Sequence, residues 1–309
     1  MSVTWSKKKV EFYKKLASIL SLALAVFLTV LKIFASLSTG SLAILSSFVD
    51  SLSDIFASFV SFVAVRFSLK SPSCAYRYGY FKAESISALI QSAFIAGSGL
   101  FVFYSSVDRL LHPTALEHTF IGILVMMLSL ILTLGLVIFQ KYVSKKTNSF
   151  AIEADSAHYV TDIITNMSVI FSLWAVSVLK QPLIDTLTAF CVSVYLVNYA
   201  YRIAVKAISL LMDHELPENV RQDVAHLIKN TEGIKGFHDF RTRDLGGVYF
   251  FEIHLEMDKD ISLLQAHDLA EKVESKILEK FSNAQVIIHQ DPYGIKEKRL
   301  DDVLENCHL

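Results

Sequence analysis

The sequence has little charge and almost no cysteine. Charged residues make up only 19% of its 309 positions, and its three cysteines, Cys74, Cys191 and Cys307, lie far apart without a CxxC spacing. Scattered cysteines in odd number argue against a disulfide framework or a thiolate zinc site, and they are typical of a reduced, non-secreted chain. Lysine plus arginine number 29 against 30 for aspartate plus glutamate, so no chain-wide basic field attracts nucleic acid.

Apolar sequence is abundant. Hydrophobic residues make up 53% of the positions and the mean hydropathy is +0.45, which excludes a disordered chain and argues against an ordinary soluble domain. Long apolar stretches continue up to Leu211, whereas charged residues recur every few positions from Asp213 onward. We therefore predict two domains, at residues 1–212 and 213–293, followed by a polar tail at 294–309.

Six stretches come close to the ~20 apolar residues that cross a bilayer. They run over residues 16–37, 41–65, 85–107, 120–139, 157–179 and 183–211. A signal peptide does not explain the first stretch, because Lys32 interrupts it and further spans follow at once. We therefore predict an all-α membrane bundle of six transmembrane helices.

Basic residues in the connecting segments indicate the orientation. They lie before the first span, between the second and third, and between the fourth and fifth: Lys7, Lys8, Lys9, Lys14, Lys15, Arg66, Lys70, Arg77, Lys82, Lys141, Lys145 and Lys146. These segments share one side of the membrane, and the opposite side has only Arg109 and Lys180. The positive-inside rule predicts that both termini and the soluble domain are cytoplasmic.

The soluble part alternates helix and strand patterns. The expected order is αββαβ, with helices at 218–229 and 263–281, strands at 236–244, 248–257 and 284–291, and a glycine turn at 246–247. In the second strand apolar residues alternate with Glu252, His254 and Glu256, so one sheet face should be buried and the other open. A small two-layer α+β domain, ferredoxin-like or metallochaperone-like, accommodates this order.

Two carboxylates interrupt the second apolar stretch. Asp50 and Asp54 stand four residues apart, so they share one helical face, which Ser47, Ser58 and Ser61 extend. A charge that faces hydrocarbon costs a few kcal/mol or more, so this face must meet the bundle interior or water. A satisfied structural aspartate would explain one carboxylate but not two in register.

The fifth stretch repeats the spacing with His158 and Asp162. If the two faces meet, three carboxylates and one imidazole converge, which suits tetrahedral Zn²⁺. Ca²⁺ and Mg²⁺ prefer oxygen ligands in larger number and the imidazole disfavours Mn²⁺, whereas Fe²⁺, Cd²⁺ and Co²⁺ accept this donor set. The alternative is a His–Asp hydrogen bond that only joins two helices.

Together these features resemble the cation diffusion facilitator family, and within it the bacterial zinc and ferrous-iron efflux branch. The resemblance spans nearly the whole chain and includes the strings KAES (82–85), GFHDFRTR (236–243), IHLEM (253–257) and VIIHQDP (286–292). It implies a homodimeric exporter in a bacterial inner membrane, whose transport site comprises Asp50, Asp54, His158 and Asp162. Metal would leave the cytoplasm by alternating access, in exchange for protons that compete for its ligands.

The resemblance also implies a cytoplasmic metal site. The matching residues are His238, His254, His267, His289 and Asp291, with Asp291 as a bridging ligand between two ions, whereas His214 and His226 match nothing and are expected on the surface. Without the resemblance, histidines on a polar sheet face are about as often merely exposed to solvent as they are metal ligands. Metal at this site would bias the dimer between its conformations if the affinity differs between them.

Three further features are compared with the family pattern: the loop between spans two and three, one pair of charged residues, and the tail. The branch binds zinc in the loop between spans two and three, but the matching positions are Ser73, Tyr76 and Tyr80, and Cys74 has no partner, so no loop site is expected. Lys82 and Asp213 match the positions of a charge interlock in the family, which is an ion pair that joins the membrane and soluble parts. The alternative is that they are unrelated surface charges. In the tail, Cys307 and His308 offer a soft-metal pair, but an unstructured end is expected.

Two other classes of function fit the sequence less well than a transporter does. A membrane-anchored metal sensor would use only the soluble histidines, but a pure anchor needs no buried carboxylates. A membrane metalloprotease would need a motif such as HExxH, which the sequence lacks. We therefore expect a secondary transporter and not an enzyme.

Overall fold

The computed structural model describes residues 6–39, 42–111, 120–179, 183–295 and 299. The chain divides into two compact units, Met1–Ile208 and Ser209–Leu309, and each is considered by itself. The first unit is helical in its described part, and the second combines helices with a sheet.

Each predicted membrane stretch overlaps a long helix. The helices are α1 (Lys7–Thr39), α2 (Leu42–Ser68), α3 (Ala83–Leu111), α4 (Phe120–Thr147), α5 (Phe150–Leu179) and α6 (Leu183–Leu211). Within the described residues, four contain a segment long and apolar enough to cross a membrane: Lys8–Phe34, Ala83–Asp108, Met127–Thr147 and Leu187–Leu211. The number of six spans therefore stays a prediction.

Several helices extend beyond their apolar stretches. The helix α4 continues past Phe139 to Thr147, and α5 begins at Phe150 rather than at Ala157. Hydropathy marks only the apolar part of a helix and misses polar turns at its ends, where glutamine and lysine are good helix formers. Asn148, with φ of 50°, lies between the two helices in the left-handed conformation that asparagine tolerates.

Small residues allow the helices to approach closely. Ala17, Ala64 and Ala151 lie in one buried cluster where α1, α2 and α5 meet. At Gly99 on α3, a Cβ would stand 3.1 Å from side-chain atoms of Leu196 and Val197 on α6, so glycine allows α6 a closer approach than a side chain would.

The second unit has the predicted αββαβ order. Its elements are α7 (Glu218–Lys229), β1 (Ile234–Asp244), β2 (Tyr249–Met257), α8 (Leu263–Lys280) and β3 (Ala284–Pro292). The central strand β2 is antiparallel to β1 and parallel to β3. Both helices pack against the sheet face that carries Phe251, Ile253 and Leu255. The opposite face is thereby left to polar side chains.

Local sequence explains the turns and caps of this unit. Asp244 Oδ1 accepts the N–H groups of Gly246 and Gly247, whose φ angles of 100° and 91° favour glycine. Ser262 and Gln265 form a capping box at the start of α8.

The polar face of β2 is less open than the alternation predicts. Glu256 is only 7% exposed and Phe250 only 4%. The Glu256 carboxylate is covered because His238 and Arg299 contact it, and the Arg243 guanidinium lies over the Phe250 ring at 4.4 Å. Alternation shows which way a side chain points, but not what covers it.

Candidate metal centres

The helices α2 and α5 bring Asp54, His158 and Asp162 together. His158 Nε2 lies 3.1 Å from Asp54 Oδ1 and 4.0 Å from Asp162 Oδ2. One candidate ligand atom from each residue lies within 4.8 Å of those of the other two. The His158 side chain is 3% exposed, against 21% for Asp54 and 35% for Asp162, so the imidazole is the buried member of the group.

This group fits a four-coordinate cation. Two ligands bound at ~2.0–2.1 Å to a tetrahedral zinc ion stand about 3.3 Å apart, and the distances from His158 to the two carboxylates bracket that value. Three protein ligands leave one position open. Asp50 lies on α2 one turn before Asp54, and its side chain is outside the described residues.

A buried polar layer that the sequence did not predict adjoins this group. Asp155 on α5 is fully buried, and its Oδ2 accepts hydrogen bonds from Ser21 Oγ at 2.5 Å and Gln140 Nε2 at 2.6 Å. The hydroxyls of Ser58 and Tyr159 are 2.7 Å apart. The layer therefore fixes α5 to α1, α2 and α4. Its signal in the sequence was a further carboxylate three residues before His158, on the same helical face.

A buried ion pair forms a second network of the first unit. Lys14 Nζ lies 2.9 Å from Glu84 Oε1, and both side chains are almost fully buried. The Glu84 carboxylate also accepts hydrogen bonds from Ser68 Oγ at 2.8 Å and Ser149 Oγ at 2.7 Å. Glu84 thus joins the ends of four helices. In the sequence, Glu84 belongs to the KAES string, which does not by itself indicate this network.

In the second unit, three histidines form a row across the polar face of the sheet. The strand registers pair His238 with His254 and His254 with His289. The ring centroids are 5.1 Å apart in the first pair and 4.7 Å in the second. A β-bulge follows His238, where Asp239 has φ of 48°, and such bulges often orient a side chain beside a functional site.

Asp291 contacts all three imidazoles. Its Oδ2 lies 2.9 Å from His254 Nδ1 and 3.4 Å from His238 Nε2, while its Oδ1 lies 3.1 Å from His289 Nε2. The two oxygens thus face different histidines, as in a carboxylate that bridges two ions. The first ion would have His238, His254 and Asp291, whose candidate ligand atoms lie within 4.8 Å of one another, and the second would have His289 and Asp291.

Two family models cover nearly the whole chain. Residues 18–212 match the cation efflux transmembrane domain, and residues 216–293 match the cytoplasmic domain of cation efflux proteins. The cation-efflux pump FieF of Klebsiella pneumoniae is 40% identical over 279 residues, which are 90% of this chain and 93% of that protein. Protein p34 of Rickettsia prowazekii is 39% identical over 289 residues, 92% of this chain and 94% of the relative.

The chain belongs to the cation diffusion facilitator family. It is accordingly a cation efflux transporter of the membrane and not an enzyme. Among solved structures, the metal-bound C-terminal domain of CzcD from Thermotoga maritima matches 26% of this chain and 93% of its own, with 28% identity and a TM-score of 0.25. The zinc form of CzrB matches 28% of this chain and 99% of its own, with 29% identity and a TM-score of 0.25.

Family membership leaves the individual ligands as predictions. His267 lies exposed on α8 with Nε2 3.5 Å from Glu271 Oε1, and it is not part of the group formed by His238, His254 and Asp291. His214 and His226 are exposed, with contacts to the Glu215 carbonyl and to Asn230. Cys307 and His308 lie outside the described residues.

The loop between α2 and α3 and the predicted interlock of Lys82 with Asp213 can each be described only locally. Ser73 Oγ lies 2.9 Å from the Tyr80 hydroxyl, and the Tyr76 and Tyr80 ring centroids are 4.8 Å apart. Asp213 Oδ2 lies 3.3 Å from Arg243 Nη1 within the second unit, while Lys82 precedes α3 in the first. The absence of a loop site and the pairing of Lys82 with Asp213 both stay predictions.

Proposed function

We propose that this transporter exports Zn²⁺ from the cytoplasm across a bacterial inner membrane in exchange for protons, with both termini in the cytoplasm. The observation that carries the proposal is the group of Asp54, His158 and Asp162 where α2 meets α5. Asp50 is the proposed fourth ligand, because it precedes Asp54 by one helical turn. Fe²⁺, Cd²⁺ and Co²⁺ accept the same donors and are further candidates for cargo.

The ligand chemistry supports the exchange of metal for protons. Metal binding requires a neutral imidazole and ionised carboxylates, so a rise in proton concentration weakens the site. Imidazole ordinarily titrates between pH 5 and 8, within the range that a proton gradient spans. Alternating access would present the loaded site to the more acidic side, where protons displace the ion. A sensor without transport is not favoured, because it gives these intramembrane carboxylates no role.

The cytoplasmic unit is proposed to bind zinc and to join two copies of the chain. Its ligands would be His238, His254, His289 and Asp291, with His267 as the remaining predicted ligand. Zinc here would shift the dimer toward a transport-ready state if that state binds it more tightly. Lys82 and Asp213 are proposed to couple the two units, and Arg243 competes for Asp213 in the present geometry.

Zinc flux in proteoliposomes with an imposed pH gradient tests the proposal. The purified chain should move Zn²⁺ at a rate that follows the gradient, and Asp54→Ala should abolish the flux. Asp108→Ala is the matched control, because this exposed carboxylate on α3 lies outside the group. Lys82→Ala should reduce flux while zinc binding to the cytoplasmic unit is unchanged.

The outcomes separate the parts of the proposal. A zinc flux that does not depend on the pH gradient would contradict the proposed exchange for protons. Normal flux in Asp54→Ala would contradict the assignment of Asp54 as a ligand of the transport site. Intact flux in well-expressed Lys82→Ala would contradict the proposed interlock of Lys82 with Asp213 and leave the rest of the proposal in place.

A further inference from the structure

Glu256 lies beside the cytoplasmic histidines without facing the position of a metal ion. Its Oε1 is 3.0 Å from His238 Nδ1, on the opposite side of that imidazole from Asp291. The Glu256 side chain is 9% exposed and that of His238 5%, so water has little access to this contact. Glu256 follows His254 by two residues on β2 and points to the same sheet face.

This contact determines which nitrogen of His238 is free to bind metal. An ionised carboxylate only accepts hydrogen bonds, so Nδ1 must carry the hydrogen. The lone pair is then on Nε2, which lies 3.4 Å from Asp291 Oδ2. That separation is close to the roughly 3.3 Å expected for two ligands of one tetrahedral zinc ion.

Two further residues hold the Glu256 carboxylate in place. Arg299 Nη2 contacts the same Oε1 that receives His238, so this oxygen is shared by two donors. Gly236 lies opposite Glu256 in the register of β1 and β2, and a Cβ at position 236 would come within 2.8 Å of Glu256 Oε2. Glycine at this position therefore provides the space that the carboxylate occupies.

We propose that Glu256 is a positioning residue of the cytoplasmic metal centre: it orients His238 and selects the tautomer that binds through Nε2. The inference rests on the proposed metal role of His238, His254 and Asp291. Groups that orient metal-binding histidines typically contribute about 10- to 100-fold to metal affinity. Glu256 is not proposed as a ligand, because its carboxylate is engaged by His238 and Arg299.

Zinc affinity of the full-length chain provides the test, with Asp54→Ala as the background so that the transport site does not contribute. Competition with a chromophoric chelator should show that Glu256→Met lowers the zinc affinity by about 10- to 100-fold. Glu256→Gln should recover most of that loss, because its amide oxygen can still accept from Nδ1. Glu252→Ala is the matched control on the same strand face, where Glu252 contacts Arg241, and it should bind zinc as the background does.

A second readout separates orientation from general stability. Solid-state NMR of ¹⁵N-histidine protein in lipid, with the His238 signal identified by its loss in His238→Ala, should show the Nδ1-protonated tautomer in the parent. Glu256→Met should give a mixture of tautomers and Glu256→Gln should not. If Glu256→Met fails to fold, Gly236→Ala displaces the carboxylate without removing it, and it should weaken zinc binding several-fold.

The results also distinguish this inference from the proposed metal centre. Parent-like affinity and tautomer in Glu256→Met or in Gly236→Ala, with binding lost in His254→Ala, would overturn the role of Glu256 and leave the centre in place. Unchanged zinc binding in both His254→Ala and Asp291→Ala would overturn the centre itself, and with it the inference.

Discussion

His158 supplies the only nitrogen among the described ligands of the proposed transport site. Asp54 and Asp162 offer oxygen, which Mn²⁺ and Mg²⁺ accept as readily as zinc does. The proposed preference for zinc therefore depends on one imidazole. Because His158 Nε2 faces both carboxylates, a shorter acidic side chain at this position would leave an all-oxygen site of higher negative charge.

We expect His158→Asp to weaken Zn²⁺ transport and to favour Mn²⁺. The apparent zinc affinity should fall at least about tenfold, which corresponds to ~1.4 kcal/mol, while Mn²⁺ competes better than in the parent. Competition between the two metals in the flux assay measures both effects. His226→Asp is the control, because His226 is exposed on α7. An unchanged order of the two metals in His158→Asp would mean that the imidazole does not select the cargo.

The spacing of single residues predicted that Asp54, His158 and Asp162 come together, and it missed the polar layer beside them. Asp54, His158 and Asp162 were identified because a carboxylate in an apolar helix is conspicuous, and four-residue spacing places such residues on one face. Asp155 was equally conspicuous, but its partners Ser21 and Gln140 come from other helices. Spacing along one helix does not show which residues of other helices will contact it, so the layer became visible only in three dimensions.

At the scale of elements, Glu84 joins four helix ends through one carboxylate. Lys14 of α1, Ser68 of α2 and Ser149 before α5 all donate to this residue of α3. The removal of one partner from a buried ion pair leaves an uncompensated charge, which typically costs ~3–5 kcal/mol, whereas the loss of both charges costs much less. The network should therefore contribute more to the arrangement of the helices than any exposed pair.

We expect Lys14→Met to lower the apparent unfolding temperature of the purified chain by roughly 5–15 °C. The double variant Lys14→Met with Glu84→Gln should regain at least half of that loss, because no buried charge remains unpaired. Lys206→Met is the control: it removes an equally short pair with Glu153, but both side chains are about half exposed. Thermal unfolding in detergent measures all three. A double variant less stable than Lys14→Met would show that Glu84 needs its charge for another reason.

Element boundaries were predicted where a chemical signal marks them. The helix α7 and the membrane helix α6 have the expected ends, and the glycine turn between β1 and β2 was located correctly. The start of α5 was misplaced because Phe150–Ser156 is helical but mixed in polarity, and hydropathy alone does not register such a turn.

At the scale of the whole molecule, the proposed second ion has only two candidate ligands, His289 and Asp291, within the described residues of one chain. His289 and Asp291 lie on the polar face of the sheet, whereas α8, which carries His267, packs on the opposite face. A helix on one side of a sheet does not deliver a side chain to the other side. If His267 binds this ion, it must therefore come from a second copy of the chain.

Mixed dimers test this arrangement. In the Asp54→Ala background, His267→Ala and His289→Ala should each lose the second ion from both centres of the homodimer. A heterodimer combines one chain of each variant. One of its two centres lacks both histidines, whereas the other has His289 from the His267→Ala chain and His267 from the His289→Ala chain. The heterodimer, isolated by two different affinity tags, should therefore bind about one more zinc ion than either homodimer, because ligand supply limits occupancy. Equal zinc content in the heterodimer and the homodimers would place His267 outside the centre or within its own chain.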